Sequence, residues 1–208
     1  MVNDQYFGMD MKGLFFDKRV GETEPSVAIP DMPIKNTEHA EKFQAFLSTY
    51  VIDSLFDSYL KVGKIEGELK SVMLPSTSPI QLNTNDTTMN LVFPGIKSYY
   101  GADVPLDIHL KFHRIGEFDI TYANQNMAGL ADFDLELWAN KTDGTREMAV
   151  SLTLSEVAFG FSLLINDMKV SSQITEVYSG KVAVNSCTFA NLSALKLKIE
   201  LNNGWRIA

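Results

Sequence analysis

The sequence predicts an α+β fold in which a long helix lies along an antiparallel sheet. Three observations carry that class. One apolar stripe recurs at three- and four-residue steps up to Val62, as on a helix buried along one side. Beyond Ile65 the chain instead alternates apolar and polar residues, the period of a half-buried strand. Short turn clusters, Asn124-Gln125-Asn126, Asp143-Gly144 and Asn166-Asp167, separate these stretches at hairpin spacing.

Tyr6 to Phe16 mixes strand formers with two glycines and reads as a strand with a bend. From Asp17 to Asn36, Gly21 and prolines 25, 30 and 33 break any periodicity and give an extended connector. Asn36 or Thr37 can cap the helix, with Glu38 and Glu41 at the positive end of its dipole. Phe43, Phe46, Leu47, Tyr50, Val51, Leu55, Tyr59 and Val62 form its stripe, and Gln44, Ser48, Asp53 and Asp57 fall mostly away from it. Lys61 and Gly63 suit its C-terminus. From Thr37 to Val62 such a helix would be roughly 38 Å long at 1.5 Å per residue, so it needs an equally long surface to lie on.

Ile65 to Leu69 begins the sheet, while Pro75 to Pro79 and Asn83 to Thr88 read as loop. Leu91 to Ile96, with Tyr99 and Tyr100, reads as a short helix or turn closing at Gly101. The clearest alternation follows: Leu106, Ile108, Leu110 and Phe112 on one face, Asp107, His109, Lys111 and His113 on the other. Phe118, Ile120 and Tyr122 repeat it, as do Ala131, Phe133, Leu135 and Leu137 against Asp132, Asp134, Glu136 and Trp138. Met148, Val150, Leu152 and Leu154 lie inward, the register shifts at Ser155 to Val157 as at a bulge, and Phe159, Phe161, Leu163 and Ile165 resume. Val170 to Ile174 and Tyr178 to Val184 complete an antiparallel meander. At the end, the alternation of Leu195, Leu197, Ile199 and Leu201 slightly favours a strand, although Phe189, Leu192, Leu195 and Ile199 also fit a helix stripe.

The chain's 208 residues suffice for one sizeable core, and 45% hydrophobic with 21% charged residues is ordinary for a globular protein. A net charge of -8 disfavours a nucleic-acid partner, which clustered Lys and Arg would hold. Cys187 is the only cysteine, so no intrachain disulfide can form, and it reads as a small buried hydrophobe. Met1 to Gln5 carry an acid and no basic-then-apolar pattern, so the expectation is a cytosolic chain or an interior piece of a longer one. Sequons at Asn85, Asn140 and Asn191 decide nothing.

Chemical motifs are sparse. The G-x-S-x-G, G-x-G-x-x-G and Walker A patterns do not occur, which lowers the expectation of an enzyme, and no catalytic residue or cofactor is assigned. His109 and His113 share a strand face but would stand roughly 13 Å apart at ~3.3 Å per residue, too far for one zinc. They read as exposed imidazoles, His39 as an exposed residue of the first helical turn. Asp132, Asp134 and Glu136 form an acidic row without a calcium loop and read as a solvated face, so no metal site is expected. Trp138 falls on that polar side, covered by another element or making a contact. What remains is an apolar helix stripe facing apolar strand faces, which either fill each other or leave an elongated cavity.

The order of segments adds a resemblance. The run YFGMDMKGLFF, the linker PSVAIPDMP and the helix FLSTYVIDSLFDSYLKVGKIEGEL resemble the passage into the C-terminal barrel of the bactericidal/permeability-increasing protein, lipopolysaccharide-binding protein and cholesteryl ester transfer protein family. VFPGIKSYYGADVPLDIHLKF, DFDLELWANKTDGTREMAVSLTLS and LINDMKVSSQI look like the later strands of the same domain, in the same order. The resemblance implies a tubular lipid-binding fold, a strongly twisted antiparallel sheet wrapped around long helices. Residues 1–35 would then be a central-sheet strand and linker, and 36–208 a lipid-binding barrel. Phe189 to Gly204 becomes the start of a second long helix, against the periodicity. The chain would be a C-terminal half ending before the closing helix is complete, with an N-terminal barrel outside it.

The implied function is binding without chemistry, for lipid transport or transfer, by an extracellular protein that contacts membranes transiently. The partner would be a phospholipid or other acyl lipid held by Phe43, Leu47, Tyr50, Val51, Leu55 and Tyr59 on the helix. On the strands the holding residues would be Ile108, Leu110, Phe112, Phe133, Leu135, Phe159, Phe161 and Leu163. Two alternatives stand beside it: endotoxin binding, disfavoured by the acidic charge, and an interaction module whose interior is filled by its own side chains.

Overall fold

A computed structural model describes residues 13–22, 29, 48–63, 65–121, 126–166, 169–190 and 192–205. Among them the fold is α+β, built on a six-stranded antiparallel sheet. Helix α1 is Thr49–Lys61 and strand β1 is Glu66–Lys70, followed by a single 3₁₀ turn at Ser71–Met73. Two short helices, α2 (Thr87–Val92) and α3 (Ile96–Tyr100), precede strands β2 (Leu106–Thr121), β3 (Asn126–Asn140) and β4 (Arg146–Asn166). Strands β5 (Lys169–Tyr178) and β6 (Lys181–Cys187) and helix α4 (Ala194–Trp205) complete the chain. The expected strand at Tyr6 to Phe16 lies outside the described residues up to Lys12, as does most of the proline-bearing connector.

The expected helix from Thr37 to Val62 is corrected at its front. Ser48 is extended (φ -87°, ψ 150°) and its hydroxyl accepts from Tyr50 N, so α1 starts there as a capped 13-residue helix. The polar side chain that looked like a surface residue of a longer helix is a cap. Residues 30–47 lie outside the described residues. The C-terminal alternation is corrected as well, because residues 194–205 are helical. Leu197 and Leu201, one turn apart, bury themselves while Ile199 stays exposed, and the backbone N–H of Leu197 bonds back to Ser193. The polar stretch Asn83 to Thr88, expected as loop, runs into α2, whose first turn is capped by Asp86 accepting from Met89 N at 2.9 Å.

Strands run in the order β1-β2-β3-β4-β5, and β6 also pairs with β4. The two partners share one edge of β4: β5 pairs with Ala158 to Asn166 and β6 with Val150 to Ser155. The returning chain is thus one long edge, interrupted at Ser179-Gly180 opposite Glu156. Irregularities line up across the sheet there. His113 is an extra residue in β2, since Phe112 pairs with Phe133 but Arg114 with Asp132. Ser155 and Glu156 together oppose Asp132, with Glu156 at φ 56°, which is the bulge expected from the sequence. Each bulge re-phases the alternation so that one face stays apolar. On β4 the inward set passes from Val150, Leu152 and Leu154 to Val157 and Phe159.

On that apolar face Leu106, Leu137, Ala139, Ala149, Val150, Leu152 and Leu154 are fully buried. Leu82, Met89, Val92, Phe93 and Ile96 cover them from the loop and short helices before β2, and Leu197 from α4. The loop is fixed by Thr84, whose hydroxyl donates to Gly101 O (2.7 Å) and accepts from Val104 N (3.0 Å). Thr84→Val keeps the shape but leaves the buried Val104 N–H without its acceptor and Gly101 O without this donor. The expected loss is about 1–3 kcal/mol in chemical denaturation.

The opposite face is polar and cross-linked along the bulge line. His113 Nε2 lies 2.7 Å from Asp134 Oδ2, and Thr153 donates to Asp134 Oδ1. Arg114 grips Asp132, which also accepts from Glu156 N. Burial raises the pKa of both aspartates. The opposing bonds, from Glu156 N–H and Arg114 for Asp132 and from Thr153 and His113 for Asp134, prevail and hold them below the usual carboxylate range. Their contribution to stability is therefore present at neutral pH and lost on acidification through those lowered values.

Candidate functional site

Helix α1 rests on β2, and α4 rests against β5, β6 and α2. Between these two walls the sheet's apolar face is only partly covered. Ile108, Leu110, Phe112, Ile115, Leu135 and Phe159 are half-buried there, packed against the sealed core and continuous with it. Alternation along β2 and β3 places Ile108, Leu110, Phe112 and Leu135, with Leu110 opposite Leu135 and Phe112 opposite Phe133, while Ile115 follows the His113 bulge and Phe159 belongs to β4. The floor closes at an aromatic cluster near α1. Phe56 stacks on Phe118 at 5.4 Å, and Phe118 meets Phe159 and Phe161 edge-on at 6.0 and 6.2 Å. Gly129 makes room for it, since a Cβ there would sit 2.9 Å from both the Phe118 and Phe159 rings.

The residues expected to hold a ligand are distributed as follows. Ile108, Leu110, Phe112, Leu135 and Phe159 lie together on the half-covered floor, and Phe133 is buried beside Phe112, ring centres 5.1 Å apart. Phe161 is half-buried in the aromatic cluster; Leu163 lies in β4, paired with Ser172. On α1, Tyr50 is buried, Val51 and Leu55 are half-buried, and Tyr59 is 49% exposed. Phe43 and Leu47 lie outside the described residues.

The orientation of α1 departs from expectation. Asp53, placed by periodicity away from the stripe, is buried together with Tyr50 and Ser54. The buried side is thus turned from the apolar stripe toward a polar pair, because Ser54 does structural work there. Its Oγ accepts from Phe15 N at 3.1 Å and donates to Val51 O at 2.9 Å. The stretch at residues 13–15 crosses α1 so closely that a Cβ on Gly13 would lie 2.4 Å from Val51 Cγ2. Phe56 and Asp53 are the positions the stripe missed. Their signal is the three-residue spacing of Tyr50, Asp53 and Phe56, with Gly116 to receive the Asp53 carboxyl.

The polar residues weighed as metal ligands have other partners. His109 stands between Glu136 (3.6 Å) and Glu66 (3.9 Å), and His113 pairs with Asp134. Trp138 is overlaid by the Arg146 guanidinium, 4.9 Å from its ring centre, and donates to Glu136. Among the described residues no His, Cys, Asp and Glu group has metal-binding geometry. No described helix is long and apolar enough to cross a membrane. Cys187 is half-buried at the edge of the core.

No family model and no curated protein matches the chain. Among solved structures it is similar to one described as a crystal structure of lipopolysaccharide binding protein, at 19% identity and a TM-score of 0.46. The match covers 66% of this chain and 29% of that one, so the chain spans less than a third of that protein's length. The similarity is one of fold, and no ligand, activity or site residue passes from it to this chain.

Proposed function

We propose that this domain is a non-enzymatic lipid binder that holds an acyl chain along the half-covered floor of its sheet, for lipid transport. One observation carries the reading: Ile108, Leu110, Phe112 and Leu135 form a continuous apolar surface that the walls leave partly uncovered beside a fully sealed core. A row of half-exposed aliphatic and aromatic side chains costs hydration free energy, and an acyl chain laid on it recovers about 0.8 kcal/mol per buried methylene. The family resemblance in the sequence supports the choice of lipid over another apolar ligand. It also supports a phospholipid and an extracellular setting.

The test is the purified whole chain, extracted into organic solvent and examined by mass spectrometry, then titrated with a fluorescent fatty acid. A lipid should co-purify. Leu110→Asp, which sets a carboxylate on the floor, should weaken the fluorescent probe by about tenfold or more with an unchanged circular dichroism spectrum. Wild-type protein that carries no lipid and binds no probe would overturn the proposal.

A further inference from the structure

We infer that Asp53 is a proton-operated latch that fixes α1, one wall of the apolar floor, to the bulge of β2 at Gly116 to Phe118. The geometry is specific. Asp53 is 3% exposed, and its Oδ1 is buried without a hydrogen-bond partner. That oxygen faces Gly116, where an added Cβ would stand 3.1 Å away, so the carboxyl occupies the recess that the missing side chain leaves. Glu117 beyond it takes a left-handed backbone (φ 55°), and the β2–β3 register slips between Gly116 and Asp119. This distortion presents the backbone N–H groups of Phe118 and Glu117 to the carboxyl. Phe118 carries the ring on which Phe56 of α1 stacks, so the latch and the aromatic contact hold the same two elements together.

A buried carboxylate with one oxygen unsatisfied is costly, whereas the protonated acid has no charge to desolvate. The charged group acting on Asp53 from β2 is Glu117, itself bonded to Arg114 at 2.6 Å. On α1 the next acid, Asp57, is paired with Lys61, and in the crossing stretch Asp17 is paired with Arg19. Burial, followed by the Glu117 charge, pushes the Asp53 pKa up against the pull of the two backbone N–H groups.

The sign follows. With the pKa raised in the docked state, docking binds a proton: α1 is held most firmly in acid and loosens as pH rises through the docked value. That is opposite to Asp132 and Asp134 on the polar face of the same sheet. Access to the floor past this wall should therefore widen as pH rises through the docked value.

The test needs no ligand, so it stands or falls apart from the lipid reading. Amide hydrogen exchange of the whole chain is followed from about pH 3, below the unfolded aspartate value, to about pH 8, with each α1 amide expressed relative to its unstructured rate at that pH. Wild-type α1 protection should fall as pH rises, by up to about tenfold per pH unit for one linked proton. Asp53→Asn should stay at the acid level throughout. Glu117→Gln, which removes the like charge, should move the fall to lower pH. Wild-type protection that does not vary with pH, or an Asp53→Asn protein that keeps the wild-type dependence, would overturn the latch. If Asp53→Asn does not fold, Glu117→Gln decides, and an unmoved fall then overturns it.

Discussion

Leu137→Ala is expected to remove about 2–5 kcal/mol of stability, a large part of what a domain of this size possesses. Leu137 is fully buried in the central strand β3, opposite Ile108 of β2 and Val150 of β4. Ladders on both sides hold its backbone, so the sheet cannot close over the space left by three lost carbons. Above it the buried loop and short helices are themselves pinned through Thr84. The upper half of the range follows, because cost rises with the cavity that survives relaxation. Urea unfolding should show a lower midpoint at unchanged slope, since the folded surface is the same. Leu91, exposed on α2, is the control, and its alanine variant should change little. If the two variants unfold alike, the sealed part of the core is not where the structure puts it.

The same strands show what could be read from the sequence. Alternation placed Leu106, Ile108, Leu110 and Phe112 on one face and their polar neighbours on the other, because a period of two is a local property of an extended chain. The bulge at Ser155 to Val157 was legible for the same reason: the apolar set changed parity. The bulges at His113 and Glu117 were not, since two one-residue shifts on the same strand cancel and leave Phe112 and Phe118 in the same parity. The half-covered state of the floor could not be read either. Leu110 and Leu152 look alike in sequence, and only the cover from the loop at Leu82, the short helices and α4 seals one while the other stays half-exposed. The start of α1 is not legible because Ser48 at the helix stripe's polar side and Ser48 as a cap are the same residue in the pattern, told apart by one backbone dihedral pair. Periodicity misleads at α4 because Leu195, Leu197, Ile199 and Leu201 satisfy a period of two, yet packing selects Leu197 and Leu201. There the segment-level resemblance gives the helix that the local pattern does not, although it starts at Ala194 and not at Phe189.

Gly180→Ala is expected to cost about 3 kcal/mol, and the reason is space, not backbone angle. A Cβ at this position would stand 2.4 Å from the carbonyl oxygen of Glu156 and 2.8 Å from that of Ser155. Both obstacles are backbone, and Glu156 is already held at φ 56° with its N–H bonded to Asp132. The bulge cannot retreat without breaking that bond, so β5 and β6 must lift off β4. Gly144 supplies the contrast: it has φ 82° and nothing within 4 Å of an added Cβ, so its alanine variant pays only the conformational penalty of about 1 kcal/mol. The two variants should therefore differ in kind as well as size. Gly180→Ala should raise hydrogen exchange along β6 and the neighbouring half of β4, whereas Gly144→Ala should leave exchange raised only around its own hairpin. Because the junction at Gly180 is where one long edge is divided to follow the sheet past its row of bulges, loss of protection confined to the Gly180 loop itself would mean that the bulges of β4 and the edge are not mechanically coupled. Spread of that loss to Val150 and Leu152, which pair with Cys187 and Val184, would show that they are.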